Sequence, residues 1–134
     1  MPSEKQGKCS GPVERILAGV DLIAQERQRQ IEVEGWTAEH DDEHAEGELA
    51  LAAALYASPE PLFRVSHTVL GTTFEDPWPW WNYRNYDRYN DGGVEIKTTR
   101  RWDKRRKHSP LRRLVIAGAL IAAEIDRLQR GDAS

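Results

Sequence analysis

A chain of 134 residues with 39% hydrophobic and 31% charged residues is the size and make-up of one water-facing domain around a single core. Its net charge of -3 removes the positive excess on which duplex nucleic-acid binding depends. It has no apolar run long enough to span a membrane. Its start, MPSEKQGKCSGP, lacks the apolar core of a secretory signal, and its lone cysteine, Cys9, has no partner for an internal disulfide, so a reducing cytoplasmic setting is expected.

Residues 1–11 read as a leader. Pro12 suits a first helical position. Val13, Ile16, Leu17, Val20, Ile23, Ala24 and Ile31 then recur at three- and four-residue steps, which predicts a helix over 12–34 that Gly35 ends. The second half of that helix, AQERQRQIEVEG, is nearly all polar, as a solvated face or the wall of a polar cavity would be. A second helix is expected from Asp41 or Asp42 to Ala57. It is apolar over much of its circumference, through Leu49, Leu51, Ala52, Ala53, Leu55 and Tyr56, so it should be contacted on more than one side.

Residues 58–109 look irregular. LFRVSHTVL reads as a short helix or strand, and PWPWW brings Trp78, Trp80 and Trp81 together. NYRNYDRYNDGGVEIKTTR reads as a hairpin turning at Asn90-Asp91-Gly92-Gly93. Ser109 as N-cap and Pro110 at the first helical position open a last helix over 110–130 with a continuous apolar stripe from Leu111 to Leu128, leaving 131–134 as a tail. The predicted fold is all-α: a small helical bundle of three main helices, one domain over 12–130, with a long Trp-rich irregular loop or hairpin inserted at about 59–108. Three helices give a thin core. The second helix and AGALIAA in the last need further cover, so a homo-oligomer is expected.

The chemistry-bearing residues fall in three places. His40 and His44 stand among Glu39, Asp41, Asp42, Glu43 and Glu46, with Glu48 one turn on. His40, His44 and Glu48 are spaced by four, which would line them along one side of a helix. A binding site and a capped, acid-rich helix start both fit that pattern. Trp36, Trp78, Trp80, Trp81 and Trp102 offer faces on which a base could stack, or they fill a core or interface. The basic run Arg100, Arg101, Lys104, Arg105, Arg106, Lys107, Arg112 and Arg113 suits phosphates, or forms a solvated face that pairs with the acidic 39–48 stretch.

The strings ERQRQIEVEGWTAEHDDEHAEGELALAAALYA, PWPW and LVIAGALIAAEIDRL resemble a family of small bacteriophage and prophage proteins. The resemblance covers the three helices and the Trp-rich loop and leaves about Tyr83 to Thr99 outside as an insertion. It implies a phage setting, hence the cytoplasm of an infected bacterial host, and no particular reaction. GELALAAALYA is similar, less specifically, to the first acidic helix of the MazG-like all-α nucleotide pyrophosphohydrolases. That likeness implies magnesium held by an EExxE motif and an ExxD motif. Here Glu43, His44 and Gly47 occupy the first spacing, and Glu124 and Asp126 are two apart, so the carboxylate set is incomplete.

The expected function is a phage protein that binds and sequesters a nucleotide or nucleotide-derived immune signal. The expected ligand-binding residues are Trp36, His40, Asp41, Asp42, His44, Glu48, Trp78, Trp80, Trp81, Arg105, Arg112 and Arg113, with no catalytic residue, no cofactor and no resident metal. One alternative is a metal-dependent nucleotide phosphohydrolase, with magnesium or another divalent ion on His40, Asp41, His44 and Glu48. The other is an inhibitor that occludes a host protein, with PWPWW as its anchor.

Overall fold

The computed structural model describes residues 17–80, 86–91, 94–99 and 102–133. Helix α1, Gly19–Glu32, lies within the helix expected over 12–34; residues 12–16 and the leader lie outside the described residues. Gly35 takes a φ of 75°, which glycine accepts without a Cβ clash, and the reversal closes as Trp36 N–H donates to Gln30 O at 3.0 Å.

The second helix, expected from Asp41 or Asp42 to Ala57, is continuous only from Glu48, and a separate short helix ends at Asp42. Helix α2, Ala38–Asp42, starts behind Thr37, whose Oγ1 accepts from His40 N–H at 3.4 Å. Helix α3, Glu48–Ala57, starts after Gly47, whose φ is 85°. A residue in that left-handed region cannot continue a right-handed helix, so Gly47 divides the run.

Helix α4, Trp102–Lys107, takes up part of the basic run, and helix α5 spans Pro110–Ala133. The start of α5 is capped as its sequence implies, with Arg112 N–H donating to Ser109 Oγ at 3.1 Å. Its end runs through residues 131–133 rather than leaving them as a tail.

Helices α1, α2 and α3 all pack on α5. The core is Leu49, Ala52, Ala53 and Leu55 of α3 against Ile116, Ala117, Leu120 and Ala123 of α5, with Trp78 closing it. The alanines let the two backbones approach, and burial of each leucine or isoleucine contributes about 1.5–3 kcal/mol. On the other side of α5, a Cβ added to Gly118 would stand 2.7 Å from Ile23 Cγ1, so α1 sits directly over that glycine.

The fold is not all-α and is not a bundle of three helices. Between α3 and α4 the chain forms β1 (Arg64–Thr68), β2 (Gly71–Glu75), β3 (Tyr86–Asp91) and β4 (Val94–Thr99), joined in one mixed sheet of order β1-β2-β4-β3. Strands β3 and β4 are antiparallel, with Asp91 opposite Val94 on either side of Gly92 and Gly93. LFRVSHTVL contributes β1, which pairs antiparallel with β2. The two hairpins are then sewn together by a parallel pairing of β2 with β4, Phe74 opposite Ile96.

The physical reason for the miss is burial. Every residue of β1 is exposed and Thr72–Glu75 of β2 are only half-buried, so these two strands contribute little core and carry little of the alternation that marks a buried strand. No described helix is long and apolar enough to cross a membrane.

Candidate functional site

Strand β2 delivers the chain into Asp76-Pro77-Trp78-Pro79-Trp80 at the edge of the helical core. Asp76 N–H donates to Lys97 O at 2.8 Å, which ties this turn to β4. The Asp76 carboxylate, 1% exposed, then works in two directions. Its Oδ1 accepts from Trp78 N–H at 3.1 Å, and its Oδ2 accepts from Arg105 Nη2 at 2.6 Å.

Arg105 is itself 3% exposed, and its guanidinium lies 4.3 Å from the centroid of the Trp78 ring. Burial pulls its pKa down while Asp76 opposes the shift. Two charges desolvated together gain little net stability, but their geometry is exacting. The pair is a clamp that sets the Trp78 indole. Arg106 donates to Ser58 O at 2.9 Å and holds α4 to the end of α3.

From Trp78 a continuous file of rings crosses the molecule. Trp78 meets Trp80 edge-on at 5.1 Å, and Trp80 meets His44 at 5.3 Å. His44 meets His40 at 4.9 Å, and His40 stacks near-parallel on Trp36 at 6.1 Å. In the other direction Trp78 meets Tyr56 at 6.0 Å, and Tyr56 meets His108 at 6.3 Å.

Two adjoining cavities lie along this file and share Trp36, Trp80 and Leu120. The smaller, about 250 Å³, is completed by His40, His44 and Leu49. The larger, about 560 Å³, adds Trp78, Tyr56 and His108 on its aromatic side and Glu26, Arg29, Gln30, Glu34 and Arg112 on its polar side. Together they have the size of a small-molecule site.

Glu26 organises the polar side. Arg29 grips it with Nε and Nη2, both at 2.9 Å, and Arg112 Nη2 reaches Oε1 at 2.7 Å. Gln30 Nε2 donates to Oε2 at 3.1 Å. Burial would raise the Glu26 carboxyl, but hydrogen bonds and charge from Arg29 and Arg112 outweigh it and hold the pKa below the ordinary value of 4.5. Arg29 also pairs with Glu34 at 3.0 Å, and its pKa is raised by both carboxylates. Arg112 spends Nη2 on Glu26 and is otherwise half-exposed at the cavity edge. Two residues that line this space each carry a buried polar atom without a hydrogen-bond partner, Gln30 Oε1 and Trp80 Nε1.

Of the residues singled out in the sequence, the structure brings together Trp36, His40, His44, Trp78, Trp80 and Arg112 around the two cavities. The others serve elsewhere. Asp41 is buried and paired with Arg27 at 2.8 Å, and it orients His40 through Nδ1 at 3.3 Å. Asp42 pairs with Arg130 at 2.7 Å. Glu48 accepts from Glu46 N–H at 2.7 Å and faces His44 Nδ1 at 3.6 Å. Arg105 is the clamp on Trp78, and Arg113 donates to His108 O at 2.9 Å. Trp81, Arg100, Arg101 and the Trp102 and Lys104 side chains lie outside the described residues.

The ligand set His40, Asp41, His44 and Glu48 does not converge. Among the described residues no group of three or more His, Cys, Asp or Glu side chains is placed to hold a metal ion. Asp41 is taken up by Arg27, which leaves two histidines and Glu48, a poor set for a hard ion that wants oxygen ligands, so the residues present do not fit a magnesium site.

Glu26, Gln30, Tyr56 and His108 were not singled out. A signal for the first two exists. Glu26 and Gln30 continue at four-residue steps from Leu22, so they extend the inward line of α1 with polar side chains. Comparison with known proteins adds nothing to this geometry: no family model, no curated protein and no solved structure matches the chain.

Proposed function

We propose that this protein captures a nucleotide-like ligand, a planar nitrogen heterocycle carrying an anionic group, in the joined cavities and holds it without turnover. The observation that carries this reading is the convergence of Trp36, Trp78 and Trp80 with Arg112 on one cavity of about 560 Å³. Each indole face that takes a base is worth about 1–3 kcal/mol. Arg112 has guanidinium donors beyond the one on Glu26 and lines the same cavity, which suits an anionic group on the ligand. His40 and His44 wall the smaller lobe and suit sugar hydroxyls or a second ring.

Sequestration is favoured over hydrolysis because the carboxylates a hydrolase would need are engaged by Arg27 and Arg130. In a phage setting such capture would withdraw a nucleotide signal from a host defence in the bacterial cytoplasm. A homo-oligomeric assembly is part of the same proposal. Leu111, Leu114, Ile121, Ile125 and Leu128 stay exposed along α5, and a second copy would cover them.

The test is incubation of the purified protein with a nucleotide mixture, followed by washing, heat release and mass analysis. Recovery of an intact nucleotide is the expected result. A chemically altered product would favour the hydrolase, and no retained nucleotide would overturn the proposal.

A further inference from the structure

We propose that His40 and His44 read the sugar of the captured ligand. Their Nε2 atoms accept hydrogen bonds from the 2′ and 3′ hydroxyls of a ribose seated in the smaller lobe, so the protein selects ribonucleotides over deoxyribonucleotides. The inference rests on the nucleotide-capture reading and names the class of nucleotide taken.

The two histidines are oriented from behind. His40 Nδ1 lies 3.3 Å from Asp41 Oδ1, and His44 Nδ1 lies 3.6 Å from Glu48 Oε2. Arg27 holds the other Asp41 oxygen at 2.8 Å, and Glu48 Oε1 accepts from Glu46 N–H at 2.7 Å. A carboxylate only accepts, so the ring proton it draws sits on Nδ1, and Nε2 of the neutral imidazole is then an acceptor. Among the described residues no protein group bonds Nε2 of either ring, and neither atom is sealed off: the side chains are 38% and 21% exposed. Both rings line the lobe of about 250 Å³, with their centres 4.9 Å apart.

A second base fits this lobe poorly. His40 meets His44 at 69° and His44 meets Trp80 at 59°, so those rings offer no parallel pair of faces. Trp36 is parallel to His40, but their centres are 6.1 Å apart, closer than the two contacts of about 3.5 Å that an inserted ring needs. A phosphate fits poorly too. No lysine or arginine lines the smaller lobe, and the Asp41 and Glu48 carboxylates stand behind its histidines, whereas Arg29 and Arg112 line the larger one. The group that suits two neighbouring acceptors is a neutral one that donates from two adjacent atoms, and a vicinal diol does so. The covalent layout of a nucleotide agrees. Base and 5′-phosphate leave the furanose on the side of C1′ and C4′, and the two hydroxyls leave from the opposite edge. A base and phosphate in the larger lobe therefore leave the diol free to enter the adjoining one.

The experiment titrates the protein calorimetrically at about pH 8 with AMP, GMP, CMP and UMP and with the 2′-deoxy form of each. For every nucleotide that binds, the deoxy form should bind about fivefold more weakly, the loss of one net hydrogen bond. His44→Phe keeps a ring against Trp80 and removes the acceptor, and His40→Phe does the same beside Trp36. In at least one of the two the ribose preference should fall to near unity while the deoxy form binds as it does to the parent. The ratio is measured within one protein, so a general loss of affinity does not imitate it. His44→Leu is the replacement, with the same expectation, should phenylalanine not be accommodated.

Equal or tighter binding of the deoxy forms by the parent protein overturns the inference and leaves nucleotide capture standing. So does a preference that persists in both variants, and so does an equal loss of ribose and deoxy forms in both, which would make the histidines wall and nothing more. Binding of no nucleotide in the set overturns both proposals.

Discussion

Replacing Asp76 by asparagine tests whether the Trp-rich turn is held by charge. The substitution keeps the volume of the side chain and the oxygen that accepts from Trp78 N–H at 3.1 Å. It removes the negative charge 2.6 Å from Arg105 Nη2. Arg105 is only 3% exposed, so its guanidinium would be stranded away from water. Removing one partner of a buried ion pair costs about 3–5 kcal/mol. The amide NH2 that takes the place of Oδ2 faces Arg105 Nη2 donor to donor, and the Trp78 ring 4.3 Å away offers the cation partial compensation, so the expected loss is about 3–5 kcal/mol.

That is a large share of the roughly 5–15 kcal/mol that holds a domain folded. Urea unfolding followed by tryptophan fluorescence measures it as a lower midpoint at unchanged slope. Arg105→Met in the same background should recover most of the loss by removing the stranded charge. A loss below about 1 kcal/mol, or no recovery in the double variant, would refute the clamp.

Four further outcomes are expected. Gly118→Ala places a Cβ 2.7 Å from Ile23 Cγ1 and should cost about 1–3 kcal/mol by thermal melting, with Ile23→Ala restoring part of it; a neutral effect would mean that α1 does not sit against α5 as described. The folded-state pKa of Glu26 lies below its unfolded value, so its stabilising contribution is complete above about pH 4.5 and is lost as pH falls through the folded value. Arg112→Gln weakens that depression, so the melting gap between variant and parent should shrink below about pH 4.5, and a gap constant down to pH 3 would contradict it. Trp80→Ala should reduce nucleotide affinity by about 1–3 kcal/mol in calorimetry, and unchanged affinity would remove the indole from the site. Ile125→Lys puts a charge on the exposed α5 stripe and should lower the mass measured by sedimentation if a second copy covers it; an unchanged assembly would move the contact elsewhere.

The parts of the fold legible in the chain are those whose causes are local. Ser109 and Pro110 mark the start of α5 because a cap and a fixed φ act within one turn. Gly35 follows the end of α1 because it alone accepts the left-handed reversal there. Gly47 was equally visible, but a glycine inside an alanine-rich run does not announce whether it will adopt a positive φ. In the fold it takes a φ of 85°, and the helix starts only after it, at Glu48.

The β3–β4 hairpin was legible in the run Asn90-Asp91-Gly92-Gly93, but its joining with β1 and β2 into one sheet was not, for a different reason. Strands β1 and β2 bury little, and pairing β2 with β4 depends on backbone groups of Phe74 and Ile96 meeting across 22 residues, which no side-chain pattern reports. The candidate site divides in the same way. Composition alone established that tryptophans, histidines and arginines were plentiful enough to build an aromatic, cation-edged pocket. Only tertiary structure decided which of them face one space. Desolvation makes every buried charge find a counter-charge, so Asp41 and Arg105 were drawn into ion pairs, exposed Asp42 pairs with Arg130 at the surface, and Glu26 and Gln30, unremarkable on a polar helix, became the wall of the cavity.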